Sequence, residues 1–184
     1  MTEQDSTVDP RLLLGMSGWP HAEWEDRYFP EDLPRDWQFA YFSNDAGCLM
    51  LEPAQWQGLN PDTLEDWLGD VDTDFRFFLR VRGSIEEAIV ERFAPNLGGL
   101  LLEECQRIDI SWPQFCQDDQ GYWVDSSGEP RICLVSELPE TLRAQRIMLE
   151  SMPKGLQALV VVDETADPGV LADMRKVAEL LGIA

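Results

Sequence analysis

The chain has 184 residues, with 14 basic side chains, 35 acidic ones and one histidine, for a formal charge of -21. That balance excludes a nucleic-acid partner, which needs a basic footprint, and attachment to an anionic membrane surface. A lone histidine excludes a multi-histidine metal site and confines imidazole catalysis to one position.

The length suits one domain of ~100–200 residues, and 44% hydrophobic content with seven Trp and eight Phe supplies a core. The acids are spread through both halves. Only Lys154 and Lys176 are lysines; the remaining bases are arginines. An acid-rich, lysine-poor surface suits a salt-rich solvent that screens self-repulsion, so composition admits halophilic adaptation beside the alternative of an ordinary acidic protein. Cys48, Cys105, Cys116 and Cys133 form no C-x-x-C, so zinc and thioredoxin-type chemistry are not expected. Residues 1–10 are polar and acidic, unlike a signal peptide, and no apolar run approaches the ~18–20 residues of a membrane span. The expectation is a cytoplasmic protein with free thiols, no metal and no cofactor.

In chain order, residues 1–10 read as a disordered lead-in to a single domain over 11–184. Leu12–Leu14, ending at Gly15, read as a buried strand. Residues 17–34 are punctuated by Pro20, Pro30 and Pro34 and read as loop. Residues 35–44 place Trp37, Ala40, Tyr41 and Asn44 on one helical face. Cys48–Leu51 form a second short strand. Asn60 is an N-cap with Pro61 at the first helical position, followed by Leu64, Trp67 and Leu68 at helical spacing and a stop at Gly69.

Residues 75–82 alternate. Phe75, Phe77, Leu79 and Val81 share one face, and Arg76, Phe78, Arg80 and Arg82 the other. Ser84 and Glu87 have the spacing of a capping box for a helix through about Phe93. Gly98–Leu102 form another strand, so the order to this point is βαβαβαβ and predicts a parallel sheet. A polar middle follows at 104–136, in which 122–124 and 132–135 suit a hairpin. A helix is expected near 139–151 and a strand at 157–162. The last helix opens at Asp167 and Pro168 and is ended by Gly182.

Several of these segments resemble one family. S-G-W-P-H at 17–21, Trp24 and Y-F-P-E-D-L-P at 28–34 are similar to the opening T-S-G-W-S-Y, Trp, F-Y-P-x-x-L-P of the YecE-like family, also called domain of unknown function 72. N-P-D-T-L-E-D-W at 60–67, D-F-R-F-F-L-R at 74–80 and L-G-G-L-L-L-E at 97–103 continue the likeness in order, as do the last strand and helix over 158–182. The resemblance covers about 11–103 and 155–182. It implies a TIM-barrel-like (β/α) fold, α/β in class, with sites at the carboxyl ends of the strands. Such a barrel takes at least ~200 residues, and about six βα units are countable here instead of eight. An incomplete or distorted barrel is therefore expected, with open sheet edges that a homodimer would cover.

The resemblance also shows what has been replaced. The family's T-V-E-I-N-x-T-F-Y reads here as C-L-M-L-E-P-A-Q-W, so Met50 stands at its glutamate and Glu52 at its asparagine. Its strand-end lysine is Arg80, its glutamine after the fourth strand is Glu103, and its late asparagine is Asp163 or Glu164. Acids thus replace neutral groups around an arginine, which suits an internal ion network.

The candidate catalytic residues are His21, as general acid or base, with Glu52 and Glu103. The candidate ligand-binding residues are Ser17, Gly18, Trp19, Trp56, Arg80, Asp163 and Glu164. Ser17 and Gly18 would offer backbone N–H groups, the two tryptophans would stack on a sugar or base, and Arg80 would clamp a phosphate or carboxylate. Two functions follow. One is a catalytically degenerate barrel that binds a protein partner or small metabolite. The other is a hydrolase or isomerase acting on a small anionic or sugar-like ligand.

Overall fold

The computed structural model describes residues 11–184; the expected lead-in at 1–10 lies outside them. The strands close into an eight-stranded barrel in sequence order. Its elements are β1 (Leu13–Ser17), α1 (Gln38–Asp45), β2 (Cys48–Leu51), α2 (Pro53–Trp56), α3 (Pro61–Asp70), β3 (Arg76–Val81), α4 (Glu87–Val90), β4 (Leu97–Leu102), β5 (Gln114–Gln117), β6 (Tyr122–Val124), β7 (Pro130–Val135), α5 (Leu142–Ser151), β8 (Ala158–Val161) and α6 (Val170–Leu181). No helix among the described residues is long and apolar enough to cross a membrane.

Closure corrects the expectation of open edges. β1 pairs in parallel with both β2 and β8, so first and last strands complete the ring. The middle contributes three strands rather than missing units. β5 joins β4 in parallel, β6 runs antiparallel to β5 and β7, and β7 returns in parallel to β8. Two hairpins need only short turns, whereas parallel crossovers need about a dozen residues or more. That saving is how 184 residues reach eight strands. With every strand paired on both sides, the premise for an edge-covering second copy is gone.

The alternation read in 75–82 sorts the core into two layers. Phe75, Phe77, Leu79 and Val81 pack outward, in the layer between barrel and helices. Phe78 points into the lumen with Cys48, Met50, Leu101, Phe115, Trp123, Ile132, Ala158 and Val160. These side chains are 0–2% exposed, so the lumen is a packed core and not a pore. Gly15 belongs to this wall: a Cβ there would stand 2.1 Å from the Cys48 carbonyl oxygen. Glycine therefore permits the close β1–β2 approach.

Several helix details differ from the sequence reading. In α1 the buried residues are Phe39 and Phe42, while Trp37 is 64% exposed and Tyr41 lies at the surface. The expected face was set by Trp37, but the outer aromatic layer takes the two phenylalanines. Asn60 caps α3 as expected, accepting from the Asp62 N–H at 2.9 Å, but the helix runs through Gly69 to Asp70. The Ser84–Glu87 capping box does not form; α4 begins after Glu86 and lasts four residues. Gly182, at φ 70°, ends α6 as expected.

The β6–β7 turn is held by Asp125. Its carboxylate accepts from the Ser127 N–H at 2.8 Å, the Ser127 hydroxyl and Arg131 Nε at 2.7 Å. Burial opposes the charge, but these donors outweigh it and hold the carboxyl well below the usual range. A carboxyl depressed in the folded state stabilises it above the unfolded value of about 3.9, and the benefit fades as pH falls further. Asp125→Asn should therefore lower stability in urea unfolding at neutral pH, with the gap from wild type closing as pH drops below about 4.

Candidate functional site

Parallel strands deliver their carboxyl ends to one mouth, and β2, β3 and β4 bring four charges there. Glu52 follows β2, Arg80 and Arg82 lie at the end of β3, and Glu103 follows β4. Arg80 is gripped from both sides. Its Nη1 lies 3.0 Å from Glu52 Oε1 and its Nε 2.7 Å from Glu103 Oε1. Arg82 closes the ring, with Nε 2.6 Å from Glu103 Oε2 and Nη2 3.8 Å from Glu52 Oε2. Two arginines and two glutamates cancel.

The side chains of Arg80, Glu52 and Glu103 are 27%, 32% and 26% exposed. At that depth each charge needs a partner, and each has one. The backbone is fixed as well. Trp56 Nε1 donates to the Arg80 carbonyl at 2.9 Å, and the Glu52 N–H donates to Gln55 Oε1 at 3.0 Å, at the start of α2. Below the network lies the filled lumen.

The remaining expected residues distribute as follows. Trp56 is 1% exposed, a buried anchor with no face for a ligand. The Gly18 N–H is spent on the Met50 carbonyl at 2.7 Å, so the β1 end offers no free donor there. Gly18 has φ 83°, and a Cβ on it would stand 2.8 Å from His21 Nε2. His21 Nε2 donates to the Ser17 carbonyl at 2.7 Å, and its ring stands edge-on to Trp24 at 4.6 Å. No hydrogen bond or ion pair among the described residues joins His21 to Glu52 or Glu103. Asp163 accepts from the Thr165 N–H and hydroxyl, which hold its carboxyl below the usual range. Glu164 is exposed on the same loop. Neither joins the Arg80 network. No group of three or more His, Cys, Asp or Glu side chains among the described residues could hold a metal ion.

A second feature lies on the outer wall. The loop after β1, the start of α1 and the helix α3 enclose a solvent-open groove of about 1150 Å³. Trp37 and the half-buried His21 and Trp67 supply aromatic surface over the buried Trp19 and Phe39, and Glu25, Asp36, Glu65, Asp66 and Asp70 supply carboxylates. Its one basic residue, Arg35, is already paired with Glu25 at 3.0 Å. Trp19 is rigid, packed against Trp24, Phe39 and Phe42 at 5.0–5.7 Å. Asp70 is raised above the usual carboxyl range by burial, then by Asp66 and Asp36.

Sequence reasoning missed Trp37, Asp66 and Asp70. The signal was a tryptophan that stands across the helix from Phe39 and Phe42: two apolar stripes compete, and only one can be buried.

The architecture is thus a closed α/β barrel with an internally neutralised mouth and a separate aromatic, acidic groove on its flank. By sequence, the chain belongs to the family described as Protein of unknown function DUF72, whose model matches residues 13–163. The match runs through the middle, where the resemblance by motifs had lapsed. Comparison with curated proteins finds no match. Among solved structures, a DUF72 family protein from Enterococcus faecalis V583 is similar in fold. It is 9% identical, with a TM-score of 0.50, over 96% of this chain and 100% of that one.

Removing Arg80 would leave two glutamates facing each other with only Arg82 nearby. Arg80→Met should cost about 1–3 kcal/mol in chemical unfolding, after discount for partial exposure. Adding Glu103→Gln to that variant should restore part of the loss, because it removes one of the stranded charges.

Proposed function

We propose that this chain works by binding rather than by catalysis, and that its binding face is the aromatic, acidic groove on the flank of the barrel. The observation that carries the reading is the state of Arg80. A residue that recognises a phosphate or carboxylate needs unmet hydrogen-bonding capacity in an open site. Arg80 instead donates to Glu52 and is charge-paired with Glu103, its Nε buried beside that carboxylate, above a filled lumen. An anionic ligand would have to displace two carboxylates already tied to it.

The groove has the opposite character. Carboxylates around aromatic faces suit a guanidinium or ammonium group, held by charge and by cation–π contact. A chain at -21 also steers cationic partners toward itself. Trp37, at 64% exposure, is the aromatic face most free to receive such a group. The partner that fits is a protein segment presenting arginine or lysine, because a groove of about 1150 Å³ exceeds the ~300–1,000 Å³ of small-ligand pockets.

An arginine-rich peptide is the direct probe. Tryptophan fluorescence titration should show saturable binding that weakens as salt is added. Trp37→Ala should weaken it by about 2–5-fold, the size of an exposed cation–π contact. In parallel, a thermal-shift panel of sugars and sugar phosphates should leave the melting temperature unchanged. A clear rise with a sugar phosphate, abolished by Arg80→Met, would favour the hydrolase or isomerase reading instead.

A further inference from the structure

The segment between β4 and β5 brings together two cysteines that stand eleven positions apart. The Cys105 N–H donates to the Leu102 carbonyl at 3.3 Å, so the chain turns back on itself as soon as β4 ends. Cys105 sits at φ 49°, left-handed backbone that few residues other than glycine adopt. The turn lays its side chain over the neighbouring strand: Sγ is 3.8 Å from the Leu102 carbonyl oxygen and 4.0 Å from that of Gln117. Leu102 is the register partner of Cys116 in the parallel β4–β5 pair. The Cys105 sulfur therefore lies across the ladder position that Cys116 occupies. Phe115 takes the lumen side of β5, so the Cys116 side chain points outward, into the outer layer below Cys105. The two thiols are close enough to interact directly.

We infer that Cys105 and Cys116 form a modification site that reacts with a low-molecular-weight disulfide to close an intramolecular disulfide bond. Cys105 is exposed and Cys116 is partly buried, which sets the order of events. The Cys105 thiolate attacks one sulfur of the small disulfide, forming a mixed disulfide and releasing one small thiolate. Cys116 then loses its proton to solvent and attacks the Cys105 sulfur, expelling the second small thiolate, which is protonated. Two protein thiols are oxidised to one disulfide, and one small disulfide is reduced to two thiols.

The second step is the slow one. Burial and then the neighbouring Cys105 push the Cys116 thiol up to about 11, partly offset by Arg107. Ring closure should therefore quicken as pH rises. The bond would staple 105 to 116 and hold the connection that carries Glu103 at the barrel mouth. Cys48, fully buried in the lumen, and Cys133, on β7, serve as internal references.

The test uses the full chain in native buffer with oxidised glutathione, followed by alkylation of remaining thiols in denaturant and trypsin digestion without reduction. Cys105 falls in the tryptic peptide 93–107 and Cys116 in 108–131. The expected result is one species joining those peptides, with alkylation retained at Cys48 and Cys133. Cys116→Ser should trap a glutathione adduct on Cys105. Cys105→Ser, a change at an exposed position, should leave Cys116 alkylated and no linked peptide. Recovery of both peptides unlinked and alkylated from wild type would overturn the inference. So would a persistent Cys105 adduct in wild type.

Discussion

Closure of the strand ring is the constraint on which the rest depends. Each backbone edge must find a partner, and β1 finds two: its register pairs Gly15 with Cys48 on one side and with Val160 on the other. Once the ring is closed, inward-facing positions must fill a narrow space, and the larger residues there are Phe78, Phe115 and Trp123. Burying each such ring contributes about 1.5–3 kcal/mol, which favours a filled interior over an open channel. The antiparallel β6 belongs to the same economy, because it supplies a strand without a helical crossover.

Closure also decides what the mouth can do. Parallel strands bring Glu52, Arg80, Arg82 and Glu103 to one end, and the narrow ring leaves them close enough to satisfy one another. Buried or half-buried charges are costly unless paired, and here the pairs are made within the chain. A barrel mouth that recognises a ligand leaves some of this capacity unmet. The flank groove proposed as the binding face does so, with Asp70 held above the usual carboxyl range by burial and by Asp66 and Asp36, and with an exposed indole. In the proposed function, binding thus moves from the strand ends, where a barrel ordinarily keeps its site, to the helical wall.

Much of the fold was legible because its signals were local. The alternation of 75–82, the proline-capped helix after Asn60 and the glycine stop at 182 each follow from backbone preferences that neighbours rarely override. Arg80 with Glu52 and Glu103 was legible by another route: the resemblance placed all three at strand ends, and parallel topology then brought them together. In the middle the hairpin of 122–124 with 132–135 was legible and forms as β6 and β7, but β5 was not, because it is four residues long and its pairing is decided by ring closure rather than periodicity. The face of α1 was misread for a related reason. Trp37 and Phe39 are equally apolar, and only the packed aromatic layer around Trp19 selects between them. His21 and Trp56 drew attention by residue type, yet one hydrogen-bonds its own loop and the other anchors the β3 backbone.

The central claim is that Arg80 is held internally and is not poised for a ligand. Arginine side-chain NMR measures this directly, through proton exchange at Nε. The account predicts an Arg80 Nε–H that is resolved and, buried beside the Glu103 carboxylate, slow to exchange compared with an exposed arginine such as Arg143. An Arg80 Nε–H that exchanges as fast as Arg143 would contradict it.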